Sequence, residues 1–302
     1  MAMYWANFIK NIIQIFRGFP FPITLWARLH IAITYIRIKV KEVVLVKLFK
    51  FSPKKETLFY PTLTMEFFAY TQFVSLFEDI FINHQYYHPI LHKKNVTVVD
   101  GGAHMGMFSA YCNWINETVR IVAYEADPVM NSLCNKNAVS NSWKKTKCIN
   151  AALSGKKGKR WFYFDQEFPG SFMSSISKER GLGGKVTVPC LPLSPLLRKR
   201  KLDYIKLDIE GAEYEVLQNL AQKRLLMKVD VFTVEFHHNI EKIERLSKAL
   251  KDLSTHGFIF SFDAKKPSKL FAFQDILVYA EKTGCAESVN RPPTRRVSDP
   301  RI

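Results

Sequence analysis

The heptapeptide Asp100-Gly101-Gly102-Ala103-His104-Met105-Gly106 follows the β-branched run Val96-Thr97-Val98-Val99 and leads into a helical stretch that reaches about Ile115. Glycines at a strand-to-helix turn let the backbone approach a ligand closely and adopt dihedrals that other residues avoid. In a parallel sheet such a turn falls at the carboxyl ends of the strands, where ligands bind. Taken alone the string also fits a ligand-free tight turn or a dinucleotide site. Its spacing differs from Gly-x-Gly-x-x-Gly, however, which moves weight away from a nicotinamide cofactor. About 20 residues further on, Glu125 ends a second apolar run, where a carboxylate can accept hydrogen bonds from both hydroxyls of a nucleoside ribose.

A second constellation is Ile205-Lys206-Leu207-Asp208-Ile209-Glu210-Gly211-Ala212-Glu213. Asp208 ends a strand-like run, so it faces the same edge as Gly102 and Glu125 and is the candidate for proton chemistry there. Glu210 and Glu213 open the following helix, where the helix dipole favours carboxylates, and capping explains them as well as catalysis does. Glu235-Phe236-His237-His238 ends a further strand. Glu235 or His237 could supply a reserve base, or with Asp208 a divalent-cation site. A lone histidine is more often structural, and no metal is expected.

These residues need a frame. From Val96 onward short strand-like runs alternate with helical stretches: 96–99, 119–124, 148–153, 203–208 and 229–236 as strands, with helices near 105–115, 128–139, 212–220 and 241–256. Runs 258–262 and 276–279 read as a closing antiparallel pair, and Trp161–Phe164 as an added hairpin strand. Strands alternating with helices predict an α/β fold with a mostly parallel sheet covered on both faces. The boundaries expected are a basic, apolar helical extension over 1–60, a helical lead-in over 61–95, the main domain over 96–283 and a disordered basic tail over 284–302.

Composition sets the surroundings. The 302 residues carry 44 lysines and arginines against 27 acids, a net charge of +17, and 47% of them are hydrophobic. That content supports a sizeable core and excludes global disorder. The charge suits a polyanion, an anionic membrane surface or a basic enzyme surface with no specific partner. Part of it is local: no acid occurs from Met1 to Lys41, while Lys10, Arg17, Arg28, Arg37, Lys39 and Lys41 punctuate an apolar run. No window there supplies the 20 or so uncharged apolar residues of a membrane span. Residues 1–50 read either as amphipathic helices on an anionic surface or as a helical cap on the main domain, with a mitochondrial presequence or a cleavable signal a weaker fit. Five cysteines without a Cys-x-x-Cys pair suggest neither a disulfide framework nor a zinc site, and favour a cytoplasmic location, peripheral on a membrane if the helices bind one.

Taken together, the strings Val99–Gly106, Ala123-Tyr124-Glu125-Ala126-Asp127-Pro128, Ala152-Leu153-Ser154, Ile205–Glu213 and Val234-Glu235-Phe236-His237 resemble the FkbM-type family of class I S-adenosylmethionine-dependent methyltransferases. The likeness covers roughly half of the chain, and Asp208-Ile209-Glu210-Gly211-Ala212-Glu213 is its most distinctive part. It implies a seven-stranded Rossmann-like sheet, S-adenosyl-L-methionine as cofactor, and O-methylation of a hydroxyl on a small-molecule, sugar or lipid-like acceptor. It carries over Asp100, Gly102 and Gly106 to the methionine part of the cofactor and Glu125 to its ribose, and makes Asp208 the residue nearest the acceptor; His104 and Asp208 are further candidates for contact with the cofactor. Two departures stand out. His104 replaces the usual Asn, and Ala126-Asp127-Pro128 replaces the usual Pro-Asn.

Two rival readings remain. The positive charge suits a nucleic-acid methyltransferase, but the sequence has no Asn/Asp-Pro-Pro-Tyr/Phe string, and Pro189-Cys190 lies away from the expected strand end. A non-catalytic scaffold at a membrane surface would be expected to have lost residues of the Asp100, Gly102, Glu125 and Asp208 set.

Overall fold

The protein is described here by a computed structural model covering residues 2–59, 63–166, 174, 176, 183–239, 243–264 and 273–283. The tail expected over 284–302 lies outside them. The chain opens with α1 (Ala2–Arg17) and α2 (Leu25–Lys41), the second running on as a π-helical segment, Glu42–Leu48. Thr24 caps α2 by accepting from the Ala27 N–H. The hairpin of β1 (Lys55–Phe59) and β2 (Leu63–Glu66) follows, then α3 (Tyr70–Phe77), a π-helical turn at Glu78–Ile82 and a short 3-10 turn at Pro89–His92.

The main domain alternates as its sequence predicts: β3 (Thr97–Gly101), α4 (Met107–Ile115), β4 (Arg120–Glu125), α5 (Pro128–Ser140) and β5 (Thr146–Asn150). A side sheet comes next, built from β6 (Ala152–Leu153), β7 (Gly158–Phe164) and β8 (Gly184–Leu191), with α6 (Ser194–Lys199) after it. The chain then returns through β9 (Leu202–Leu207), α7 (Glu213–Gln222), β10 (Val229–Asn239), α8 (Ile243–Thr255), β11 (Phe258–Ala264) and β12 (Phe273–Lys282).

The seven-stranded sheet has the order β11-β12-β10-β9-β3-β4-β5. Neighbours from β10 to β5 are parallel, and β12 is antiparallel to both of its partners. This is the Rossmann-like class I architecture that the resemblance implies. Strand residues alternate between two cores, as side chains of period two must. Val98, Tyr204 and Val231 enter one core, while Val99, Ile205 and Phe232 enter the other. Burial of both faces explains why these strands read as unbroken apolar runs.

The N-terminal helices join the first core through Ile15, Ile31, Tyr35 and Ile38. Polar ties fix them further. Asn11 donates to the Tyr35 hydroxyl, which donates to Glu78, and Lys39 bridges Glu42 and Glu78.

Three elements differ from the sequence reading. The β1–β2 hairpin stands where the helical extension over 1–60 is expected to end and the helical lead-in to begin, because its Leu63-Thr64-Met65-Glu66 alternation matches a strand half-buried against α5. The run 148–153 is two strands in two sheets, broken at Ala151. The partner of the Trp161–Phe164 strand is β8, whose interrupting Pro189 hid it from the pattern.

Buried Asn137 holds the hairpin to the domain. It accepts from the Glu66 N–H and donates to the carbonyls of Glu66 and Met105. Asn137→Ala strands those groups, so urea unfolding is expected to give a stability loss of about 2–4 kcal/mol. A loss near zero would show that the hairpin is held by its apolar contacts alone.

Candidate active site

The strand order reverses beside β3, so the carboxyl ends of β3, β4 and β9 open on one crevice. Gly102 turns the chain there with φ +75°, and a Cβ on it would lie 1.8 Å from the Asp208 carbonyl oxygen. Only glycine fits. The Gly102 and Ala103 N–H groups both donate to the Tyr124 carbonyl, and the Asp208 N–H donates to Gly101. The three strand ends are thereby fastened to one another. His104 has φ +52°, in the left-handed region where Asn and His are both enriched, which makes sense of this departure from the family pattern.

Glu125 sits at the end of β4, buried. One carboxylate oxygen accepts from the His104 N–H at 2.6 Å and the other from the Asp127 N–H at 2.9 Å. Burial pushes its carboxyl up to about 7, against the pull of those two donors. Asp127 caps α5 by accepting from the Val129 and Met130 N–H groups, with Pro128 in the first turn.

At the other end of the crevice lies a charged cluster built on Lys206. This lysine is buried in β9 and donates to the Gly102 carbonyl at 2.8 Å. Its Nζ lies 3.4 Å from Asp208 Oδ2 and 3.7 Å from Asp100 Oδ1. Burial would make it shed its proton, but Asp208, Asp100 and Glu235 outweigh that and keep it charged. Asp100 also accepts from the Ser109 hydroxyl; its own complete burial still raises its pKa.

Asp208 is set apart. Burial would raise its carboxyl too, yet Lys206 and His237 hold it below the usual carboxylate range. The Tyr86 hydroxyl lies 3.1 Å from Asp208 Oδ2 and 2.9 Å from Glu235 Oε2, so its one proton is shared between two carboxylates. Burial first, and then the Asp208 charge, push Glu235 up to about 7. His237 Nδ1 lies 3.1 Å from Glu213, which also accepts from the Ile209 and Gly211 N–H groups. Glu213 thus caps the turn before α7, whereas Glu210 stands in that turn with φ +56°.

The crevice spans about 870 Å³ of empty space, part of it open to solvent. Among the expected residues Gly102, His104, Glu125 and Asp208 line it. Asp100, Gly106, Glu235 and His237 stand behind the wall. Gly106 begins α4 at φ +87°, packed against Cys134. Asp208, Glu210 and His237 bring ligand atoms within 4.8 Å of one another and could hold a cation. Lys206 already pairs with Asp208, and Glu213 with His237.

Two central residues escaped the sequence reading. Lys206 had a signal, because a lysine inside an apolar strand needs a partner when buried. Tyr86 had none, being one of many aromatics in its segment.

The family model described as "Methyltransferase FkbM domain" matches residues 100–279. "Methyltransferase sdnD" of Sordaria araneosa is 27% identical over 179 residues, covering 49% of this chain and 69% of that protein. Among solved structures, a putative rRNA-methylase from Clostridium thermocellum aligns with TM-score 0.41 and 13% identity, over 66% of this chain and 93% of that one. The Aeropyrum pernix fibrillarin with natively bound S-adenosyl-L-methionine aligns with TM-score 0.37 and 13% identity, over 65% and 69%.

Replacing Lys206 by Met leaves Asp100 and Asp208 without their buried counter-charge. The variant is expected to lose about 3–5 kcal/mol at pH 8. Both carboxyls would then titrate higher in the folded than in the unfolded chain. The loss should therefore shrink as the pH falls and they take up protons. Denaturant midpoints that fall equally at pH 8 and pH 5 would count against the counter-charge role.

Proposed function

The chain belongs to the FkbM methyltransferase family, with S-adenosylmethionine as cofactor, and from that premise we propose that it methylates a hydroxyl oxygen of a small-molecule, sugar or lipid-like acceptor. The observation that carries the reading is the Asp208 carboxylate, ionised and lining the crevice, with Tyr86 and Glu235 hydrogen-bonded behind it. The lining also includes Glu125, Asp127 and Glu210 against Lys206 as its one lysine or arginine among the described residues. An acidic lining suits an uncharged hydroxyl acceptor and disfavours a polyanion such as nucleic acid.

The residues present fit the cofactor. Glu125 at the strand end has acceptor capacity left after its two N–H partners, which suits a ribose diol. Tyr124, Leu153 and Phe162 give the same end an apolar wall suited to a purine. Gly102, His104 and the turn toward Gly106 would hold the methionine part, with Asp100 behind them fixing the turn through Ser109 and Lys206. The bound cofactor supplies an electrophilic methyl group on a sulfonium.

The protein's own task is to align the acceptor oxygen, exclude water and take the proton. Asp208 orients the hydroxyl and accepts its proton. Tyr86 then takes that proton from Asp208 while releasing its own to Glu235, whose raised pKa suits temporary storage. His237, held by Glu213, fixes Asp208 from behind.

Calorimetric titration with S-adenosylmethionine is expected to show binding by the wild type that weakens roughly 100-fold in Glu125→Ala. Absence of binding by folded wild-type protein would sink the reading. Asp208→Asn should keep cofactor affinity and cut turnover by about 10²–10⁴; wild-type turnover would displace Asp208 from its role.

The pH profile tests the store. Glu235 must be ionised to receive a proton, so turnover should rise through about pH 7, and Glu235→Gln should lose that limb. An unchanged limb in the variant would assign it to another group.

A further inference from the structure

Among the described residues, most of the exposed large hydrophobic side chains lie in the first 51 positions. Of the nineteen large hydrophobic side chains exposed among the described residues, twelve lie between Trp5 and Phe51. They are ordered. On α1, Trp5, Ile9, Ile13 and Phe16 recur every three or four residues and form one stripe, opposite the face that buries Ile15. On α2, Leu25, Trp26, Ile33, Ile36 and Val40 form a second stripe, opposite Ile31, Tyr35 and Ile38.

The two helices run antiparallel, tied by Asn11 to Tyr35 and by the Arg28 guanidinium to the carbonyls of Ile15 and Phe16. Each already fills the domain core with its other side, so these stripes are surplus to folding. Scattered exposed apolar residues need no explanation, but contiguous stripes mark an interaction surface.

Charge selects the occupant. Exposed Lys10, Arg17 and Arg37 stand beside the stripes on the helices, and Lys47, Lys50 and Lys54 follow in the next segment; the first acid in the chain is Glu42, which pairs with Lys47 as Glu56 does with Arg37, leaving the region basic on balance. Apolar rows edged by cations fit the interface of a bilayer whose headgroups are anionic, with lysine and arginine stems reaching up to the phosphates. Among the described residues no helix is long and apolar enough to cross a membrane, so the contact is one of lying on the surface.

We infer that the α1–α2 hairpin docks the protein on an anionic lipid surface. This docking stands independently of the acceptor reading above. It also bears on the crevice, because Tyr35 and Lys39 hold Glu78 at the start of the π-helical turn whose Ile80 lines it.

The test is flotation of the full chain with phosphatidylcholine vesicles, with and without phosphatidylserine, beside the variant Trp26→Glu/Ile33→Glu. Both positions are well exposed, at 73% and 63%, so the variant should keep the wild-type thermal midpoint and cofactor affinity. The wild type is expected to float with the phosphatidylserine vesicles, more weakly at high salt, and the variant to lose about tenfold or more of that partition. Equal flotation of wild type and variant overturns the proposal, as does failure of the wild type to float. Light scattering supplies another decisive outcome. A wild-type dimer that the variant dissolves, without flotation of either, assigns the face to a second copy and ends the lipid reading.

Discussion

Everything in the crevice depends on one buried cation. Lys206 stands where β3 and β9 meet, between the carboxylates of Asp100 and Asp208 and against the Gly102 carbonyl. A lone charge in such a place would be driven towards its neutral form, and two buried carboxylates without a cation would be pushed towards protonation. The three groups sustain one another's ionisation. The same contact locks the glycine turn to the end of β9, so the cofactor side and the acceptor side of the crevice share one electrostatic anchor.

That anchor also separates the acids. Asp208, closest to the cation, stays ionised, while Glu235 one residue further back and Glu125 at the far end both move up to about 7. Groups of one chemical type, pushed apart by their surroundings, can take different parts in a single proton transfer. Tyr86 links two of them without being able to serve as a base, since its burial and the flanking carboxylates drive its hydroxyl pKa far up. It can only pass a proton on.

The legible parts of the molecule were those with local causes. The glycine turn, the acid at the end of β4 and the strand runs follow from backbone dihedrals and from burial on both faces, and they read directly from the chain. Asp208 was legible as a strand-end acid. Its partners were not: Tyr86 arrives from 122 residues away, and nothing in its neighbourhood distinguishes it from the other aromatics. Glu235 and His237 read as reserve bases, but their place behind Asp208 is a property of the packing of β10 on β9. The β1–β2 hairpin was missed because its strands are short and the asparagines that hold it lie far along the chain, Asn137 in α5 and Asn141 at its C-cap.

The division of labour along the chain follows from where the crevice wall originates. Its cofactor end is made by β3, β4 and the side sheet, all within the residues matched to the family. At the end where the acceptor is proposed to sit, Leu76, Ile80 and Tyr86 precede residue 100 and lie outside that match. A change in Leu76 or Ile80 would reshape that end without touching the glycine turn or Glu125, whereas a change in Tyr86 would also break its link between Asp208 and Glu235. The N-terminal hairpin is fastened to that same wall through Glu78, at the start of the turn that carries Ile80. We propose that acceptor choice draws on this segment together with Ser174 and Ile176, and Tyr86 makes the same segment part of the proposed proton path.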